Sequence, residues 1–327
     1  MQYKSVKGFT GWGQLGLLLL FIGIGVILAA GVQFLIGMQI VPAGVPTDKI
    51  GEEMMKAMMK PENVGAARLA QTLGTFCIMC LPALLFMIVC HGRNIFWLGF
   101  NKHISIQQII IGFFIILSAS FAAGSLADIS RTILAQFPNL DAAASQLEKT
   151  YNEQVIALSN LKSWGEFLMA IIIMAFFPAL FEELFFRGAI QNLLVRWWKA
   201  PLIAIVATSL LFSIVHMSFY NFLSRAALGF VLGLMYHQSK NLWVNVIAHF
   251  LNNFIAVINL FYMSQHDKKI EIDKMDPQIP IWGGLIAVAV VYILFILFDK
   301  ASNKKRRLIA FEEQNLIEKA NPFHSFE

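Results

Sequence analysis

Apolar and polar positions alternate on the scale of whole membrane crossings. Eight apolar runs, roughly 13–38, 67–90, 106–127, 164–186, 200–218, 222–238, 242–263 and 280–299, are separated by polar segments. A bilayer core needs about 20 apolar residues per helix. The pattern therefore predicts an all-α, polytopic membrane protein: a bundle of about eight transmembrane helices with any active site inside it. The sixth run is short, and the fourth continues toward Trp197. The first run follows Lys4 and Lys7 and, at about 25 apolar residues, outruns a signal-peptide core of about 7–15, so it reads as a retained span. No period of 20–50 residues recurs, which argues against a solenoid.

Two polar intervals carry structure of their own. In 139–159, Leu140, Ala144, Leu147, Tyr151, Val155 and Leu158 recur at helical spacing, opposite a face with Asp141, Gln146, Glu148, Lys149 and Glu153. This predicts an amphipathic helix lying on the outer membrane surface, as interfacial packing or as a lid. The Met-rich stretch 48–60 has a similar pattern.

Composition agrees with the pattern. The 327-residue chain is 57% hydrophobic and 14% charged, against about 45–50% and about 25% in soluble domains. The excess of positive charge does not form a long basic face, so no nucleic-acid partner is indicated. The run Lys304, Lys305, Arg306, Arg307 follows an apolar stretch and reads as a topology anchor. Loops on the side of the termini carry the more positive net charge, which puts both termini in the cytoplasm of a plasma (inner) membrane. The compact chain without a targeting extension points the same way. Cys77, Cys80 and Cys90 share one apolar run and read as small apolar fillers.

Ionisable residues at membrane depth cost at least about 2.5–3.5 kcal/mol each and so have a partner or a function. Glu183 and Arg187 lie four apart and share a helix face, so they can pair. Glu182 points about 100° away, leaving its carboxylate free to titrate or bind a ligand. His91, His103, His237, His266 and His324 fall at run ends or in loops. Only His216 and His249 fall inside runs. Phe212 precedes His216 by one turn and Asn253 follows His249 by one turn. A structural ion-pair network and helix-packing hydrogen bonds are the bland explanations. The chemical one is peptide hydrolysis: a carboxylate as general base, with His and Asn N–H groups for the oxyanion. Glu182, His216 and His249 are also the ligand types of some catalytic zinc sites, although HExxH is absent. No GxSxG motif and no Ser/His/Asp set appears, and no aspartate lies in the interior of any run.

Glu182-Glu183-xxx-Arg187, Phe212-xxx-His216 and His249-xxx-Asn253, in that order and in successive apolar runs, resemble the EExxxR, FxxxH and HxxxN/D motifs of the CPBP family. That family comprises CAAX prenyl endopeptidases and bacteriocin-processing or immunity proteins, often labelled Abi. The resemblance covers about 164–255. It implies an eight-helix intramembrane endopeptidase in which Glu182 activates water and His216 helps hold it. His249 and Asn253 would form the oxyanion site, and Glu183 and Arg187 would support it from behind, with Phe212 beside them. The family is described both as glutamate-dependent and as metal-dependent. A divalent metal such as zinc on Glu182, His216 and His249 therefore stays open, and no cofactor is certain. The substrate would be a membrane-associated peptide or protein in the lipid bilayer, with oligomeric state open. The alternatives are a non-catalytic immunity or partner-binding protein and a proton-coupled transporter; repeat symmetry typical of the latter is not evident.

These readings divide the chain into 1–163 (three helices with outer amphipathic segments), 164–264 (catalytic helices), 265–300 (outer loop and last span) and 301–327 (basic tail). Pro178, one turn before Glu182, predicts a bend and a water-filled cavity there. By resemblance its mouth faces the cytoplasm. Gly229-xxx-Gly233 predicts a tight, closed seam along the sixth run. At 1.5 Å per residue, Glu182 and His216 come out roughly 22–24 Å from the cytoplasmic ends of their runs and His249 near 13 Å, a mismatch that tilt or the break at Pro178 has to remove.

Overall fold

The structure, a computed structural model, describes residues 3–159, 161–266 and 279–320. It is 84% helical, with no strand among the described residues, so the all-α reading holds. Among the described residues ten helices follow in order: α1 Gly11–Met38, α2 Ile50–Met58, α3 Pro61–Cys90, α4 Ile106–Leu134, α5 Pro138–Leu158, α6 Trp164–Trp198, α7 Pro201–Val215, α8 Phe222–Ser239, α9 Leu242–Gln265 and α10 Ile281–Ala320. Six of them, α1, α3, α4, α6, α9 and α10, are long and apolar enough to cross a membrane. The protein is a multi-pass membrane protein. The fifth and sixth apolar runs are helical too, as α7 and α8, but neither meets that standard. Fifteen residues of α7 cover roughly 22 Å at 1.5 Å per residue, short of a hydrocarbon core of about 30 Å.

Local chemistry sets the helix ends. Ser105 and Gln108 form a capping box at the start of α4, as do Ser163 and Glu166 at the start of α6. Pro201 begins α7, where a missing N–H costs nothing. The chain leaves α6, α7 and α8 through Lys199, Met217 and Lys240, all with positive φ. This left-handed step stops a helix even without glycine.

α4 packs against α8, α9 and α10, α8 packs against α7, and α9 packs against α6. α1 and α3 lean on the other side of α6. The three cysteines are buried without disulfides, as filler residues would be. α10 does not end with its apolar part. It runs unbroken to Ala320, and the stretch read as a basic tail packs across the end of the bundle through Arg196–Glu313 at 2.7 Å and His103–Glu312 at 3.0 Å. His324 and 321–327 lie outside the described residues.

α5 forms over 138–158 much as its periodicity predicts, but its polar face is not all turned to water. Glu148 is buried and accepts hydrogen bonds from Ser218 Oγ (2.7 Å) and Asn221 Nδ2 (3.3 Å), while Asp141 accepts from Tyr220 Oη at 2.9 Å. The carboxylates that marked a solvent face instead fasten α5 onto the 216–221 connection after α7.

The seam along α8 is tight. A Cβ on Gly233 would stand 2.7 Å from Ile205 Cγ2, and one on Gly229 would stand 3.2 Å from Phe212 Cδ1. Overpacking such a contact costs about 1–3 kcal/mol. Gly233→Leu is therefore expected to lower the melting temperature of the detergent-solubilised protein. Gly31→Leu, on an open face of α1 where nothing lies within 4 Å, is the matched control. Equal melting of the two variants would show that the seam is loose.

Candidate active site

α6 carries the central residues on an irregular helix. Its turns widen to i→i−5 hydrogen bonding over Ile171–Phe176, immediately before Pro178, and again over Leu184–Gln191, immediately after Glu183. The first widening accommodates the ring of Pro178, which has no N–H and would clash with the carbonyl one turn back. Such π turns concentrate at functional sites. Widened turns also advance less along the axis per residue. This draws Glu182 nearer to the Trp198 end than a regular helix would and helps remove the depth mismatch with His249.

Glu183 and Arg187 do pair. Arg187 Nη1 donates to Glu183 Oε1 at 2.8 Å, and both side chains are fully or almost fully buried. Arg187 Nη2 reaches across to the carbonyl of Gly229 at 3.0 Å, and one turn on Gln191 Nε2 repeats the contact on Gly233 at 2.9 Å. The close α8 approach that the glycines allow thus exposes two backbone carbonyls to α6. Glu183 has two further donors from α9: Asn245 Nδ2 at 3.2 Å and His249 Nδ1 at 2.9 Å. A buried carboxylate needs such satisfaction, since a lone one would be prohibitively costly.

Asn245 was not singled out from sequence, although the signal was present. Asn245, His249 and Asn253 recur at four-residue intervals and so mark one polar face of α9. Gln191, four residues after Arg187, was likewise passed over.

Glu182 faces the other way, as the 100° offset requires. Its Oε2 lies 3.7 Å from His249 Nε2 and 3.8 Å from His216 Nε2. These separations are too long for direct hydrogen bonds and suit a bridging water. Proton placement follows from the partners. His216 Nδ1 lies 2.7 Å from the carbonyl oxygen of Phe212, which only accepts, so Nδ1 carries the hydrogen. His249 Nδ1 likewise faces the Glu183 carboxylate. When neutral, both rings therefore turn an acceptor Nε2 toward Glu182, and three acceptors converge on one gap.

Phe212 is the plate beneath this assembly. Arg187 Cζ lies 5.0 Å over its ring, the His216 ring is 4.5 Å away centre to centre and the His249 ring 6.2 Å. Asn253 sits one turn beyond His249, half-buried, and makes no hydrogen bond with the described residues. The structure thus gathers Glu182, Glu183, Arg187, Phe212, His216 and His249 at one point, with Asn253 on the adjoining turn. Among the described residues, no group of three or more His, Cys, Asp or Glu side chains is placed to hold a metal ion.

The site is not sealed. The Glu182 side chain keeps 12% of its surface and His216 keeps 24%, against 8% for His249. His216 caps α7 where the chain turns into 216–221, beneath α5. Of the two ends of α7, His216 therefore stands at the one beside α5.

Comparison with known proteins bears on the same helices. Residues 164–255 match the family model Rce1-like: Type II CAAX prenyl endopeptidase Rce1-like. The matched segment runs from α6 into α9 and contains every motif residue described above. Two Bacillus subtilis (strain 168) proteins are similar: "Uncharacterized protein YpbD", 28% identical over 117 residues (33% of this chain, 57% of that protein), and "Putative membrane peptidase YdiL", 28% identical over 112 residues (32% of this chain, 44% of that protein). The chain thus matches about half the length of these curated relatives. No solved structure matches it.

Proposed function

We propose that the chain is an intramembrane endopeptidase that hydrolyses a membrane-associated peptide or protein with water activated by Glu182. The observation that carries this is the convergence of Glu182 Oε2 with His249 Nε2 at 3.7 Å and His216 Nε2 at 3.8 Å, within reach of one shared water, supported by the Rce1-like match. A water there donates one hydrogen to Glu182 Oε2 and the other to His216 Nε2, leaving its lone pair toward the substrate carbonyl. As oxygen attacks, its proton passes to Glu182. The carbonyl oxygen takes the negative charge and receives N–H donors from Asn253 and from His249 in its protonated form, whose charge Glu183 balances. Glu182 then returns its proton to the departing amine, which closes the cycle. Zinc would find ligand types here but no group placed to hold it among the described residues, so no step runs through a metal.

Comparing the membrane peptides of cells carrying the wild type with those of cells carrying Glu182→Ala tests this reading. New termini are expected only with the wild type, and identical profiles would remove the peptidase assignment.

The charge bias along the chain further supports cytoplasmic termini, which would put α5 on the outer face. An introduced cysteine beside Lys305 should resist an impermeant thiol reagent in intact cells, while one at Lys149 should react. The reverse pattern would invert the orientation.

A further inference from the structure

At the end of the bundle opposite α5 lies a cavity of about 270 Å³ with charged side chains in its wall. The end of α6 contributes Asn192 and Arg196, the α8–α9 turn and its approach contribute Tyr236 and Lys240, and the extension of α10 contributes Arg306 and Glu313. Three cations meet there, and two are answered: Arg196 by Glu313 at 2.7 Å and Arg306 by Asp299 at 2.8 Å. Lys240 is not. Its contact is the neutral-capable ring of His237, with Nζ 3.3 Å from Nδ1, and no carboxylate among the described residues lies within ion-pair distance. Burial, with Arg196 nearby, pushes its ammonium down to about 8. Asn192 Nδ2 donates to Tyr236 Oη at 2.7 Å, which leaves that hydroxyl hydrogen for another acceptor. The wall therefore presents an unanswered cation and a spare O–H donor.

The depth of the cavity is marked as well. Trp198 ends α6 and Trp243 begins α9, each 41% exposed. Exposed tryptophans at helix ends mark the membrane–water interface, where lipid phosphates lie. Basic pockets between helix ends at this level suit anionic headgroups. We propose that this cavity binds a phosphate anion against Lys240, Tyr236 and the free N–H groups of Arg196 and Arg306. Its position favours the phosphate of an anionic lipid. A phosphate seated there bridges the bundle and the α10 extension, since the wall is drawn from both.

The test uses the full chain. Thermal unfolding is followed in nanodiscs of phosphatidylcholine alone and with added phosphatidylglycerol, and in detergent with inorganic phosphate against chloride at matched ionic strength. Phosphatidylglycerol is expected to raise the melting temperature. Lys240→Gln should weaken the apparent affinity about tenfold, as loss of one charge-assisted hydrogen bond implies. Lys240→Gly is the second variant, because glycine suits the positive φ of this position (55°) and keeps the fold secure. Lys304→Gln, exposed and outside the cavity, should change nothing. Stabilisation by inorganic phosphate alone, lost in the Lys240 variants, would uphold the site and assign it to free phosphate. No stabilisation by either anion, or equal loss in the Lys240 and Lys304 variants, would overturn it.

Discussion

Glu182→Gln is expected to lower peptide-bond cleavage by about 10²–10⁴-fold, the usual contribution of a positioned general base, with no loss of melting temperature. The two halves of this expectation rest on different observations. Glutamine keeps the shape of the side chain but cannot accept the proton of water, so the chemical step loses its base. Stability should survive because Glu182 is not a partner in the buried network: its histidine neighbours stand at 3.7 and 3.8 Å, whereas Arg187, Asn245 and His249 each donate to Glu183. Full activity in purified Glu182→Gln would end the general-base assignment. A chelator adds the decisive second arm. Wild-type cleavage should continue in its presence. Loss of cleavage restored by added zinc would transfer water activation from Glu182 to a metal.

The contrast between Glu182 and Glu183 shows how far sequence alone reaches. Adjacent glutamates on a helix must diverge, so it was legible that one could pair with Arg187 and the other could not. Which partners arrive from other helices was not. Asn245 reaches Glu183 only because α9 crosses α6 at that level, and that level depends on the widened turns of Leu184–Gln191, which no residue pattern announces. The apolar runs were legible because the bilayer imposes a length on them. The same rule does not fit α7, whose residues are apolar enough but whose fifteen residues fall short of a full crossing. α5 illustrates a different limit. Periodicity located the helix but assigned Glu148 to water, since spacing does not reveal that Ser218 and Asn221 of the turn after α7 wait beneath it. The run Lys304–Arg307 looked like a tail because charge follows an apolar stretch. Its helical continuation is held by Glu312 and Glu313, whose partners lie more than a hundred residues away along the chain.

Arg187→Ala and Glu183→Gln should each cost about 3–5 kcal/mol of stability, the usual penalty for leaving one member of a buried ion pair alone. Both side chains are sealed from solvent, at 1% and 0% exposure, so water cannot replace the missing partner. Arg187→Ala also strips a donor from the Gly229 carbonyl at the tight α8 seam. Stability loss alone would leave open whether the pair matters to the chemistry, and the double variant Glu183→Leu with Arg187→Met separates the two. Replacing a buried ion pair by apolar side chains of similar volume is often neutral or stabilising, so part of the lost melting temperature should return, while the Gly229 carbonyl and the His249 N–H are left without their partners. Cleavage should not return. Without Glu183, His249 loses the carboxylate at 2.9 Å that holds its ring and balances its protonated form, and its Nε2 is no longer aimed at the Glu182 gap. Melting of either single variant at the wild-type temperature would show that the pair is not a structural element. Wild-type cleavage by the refolded double variant would show that His249 needs no help from Glu183, and the proposed division of labour between the two glutamates would fall with it.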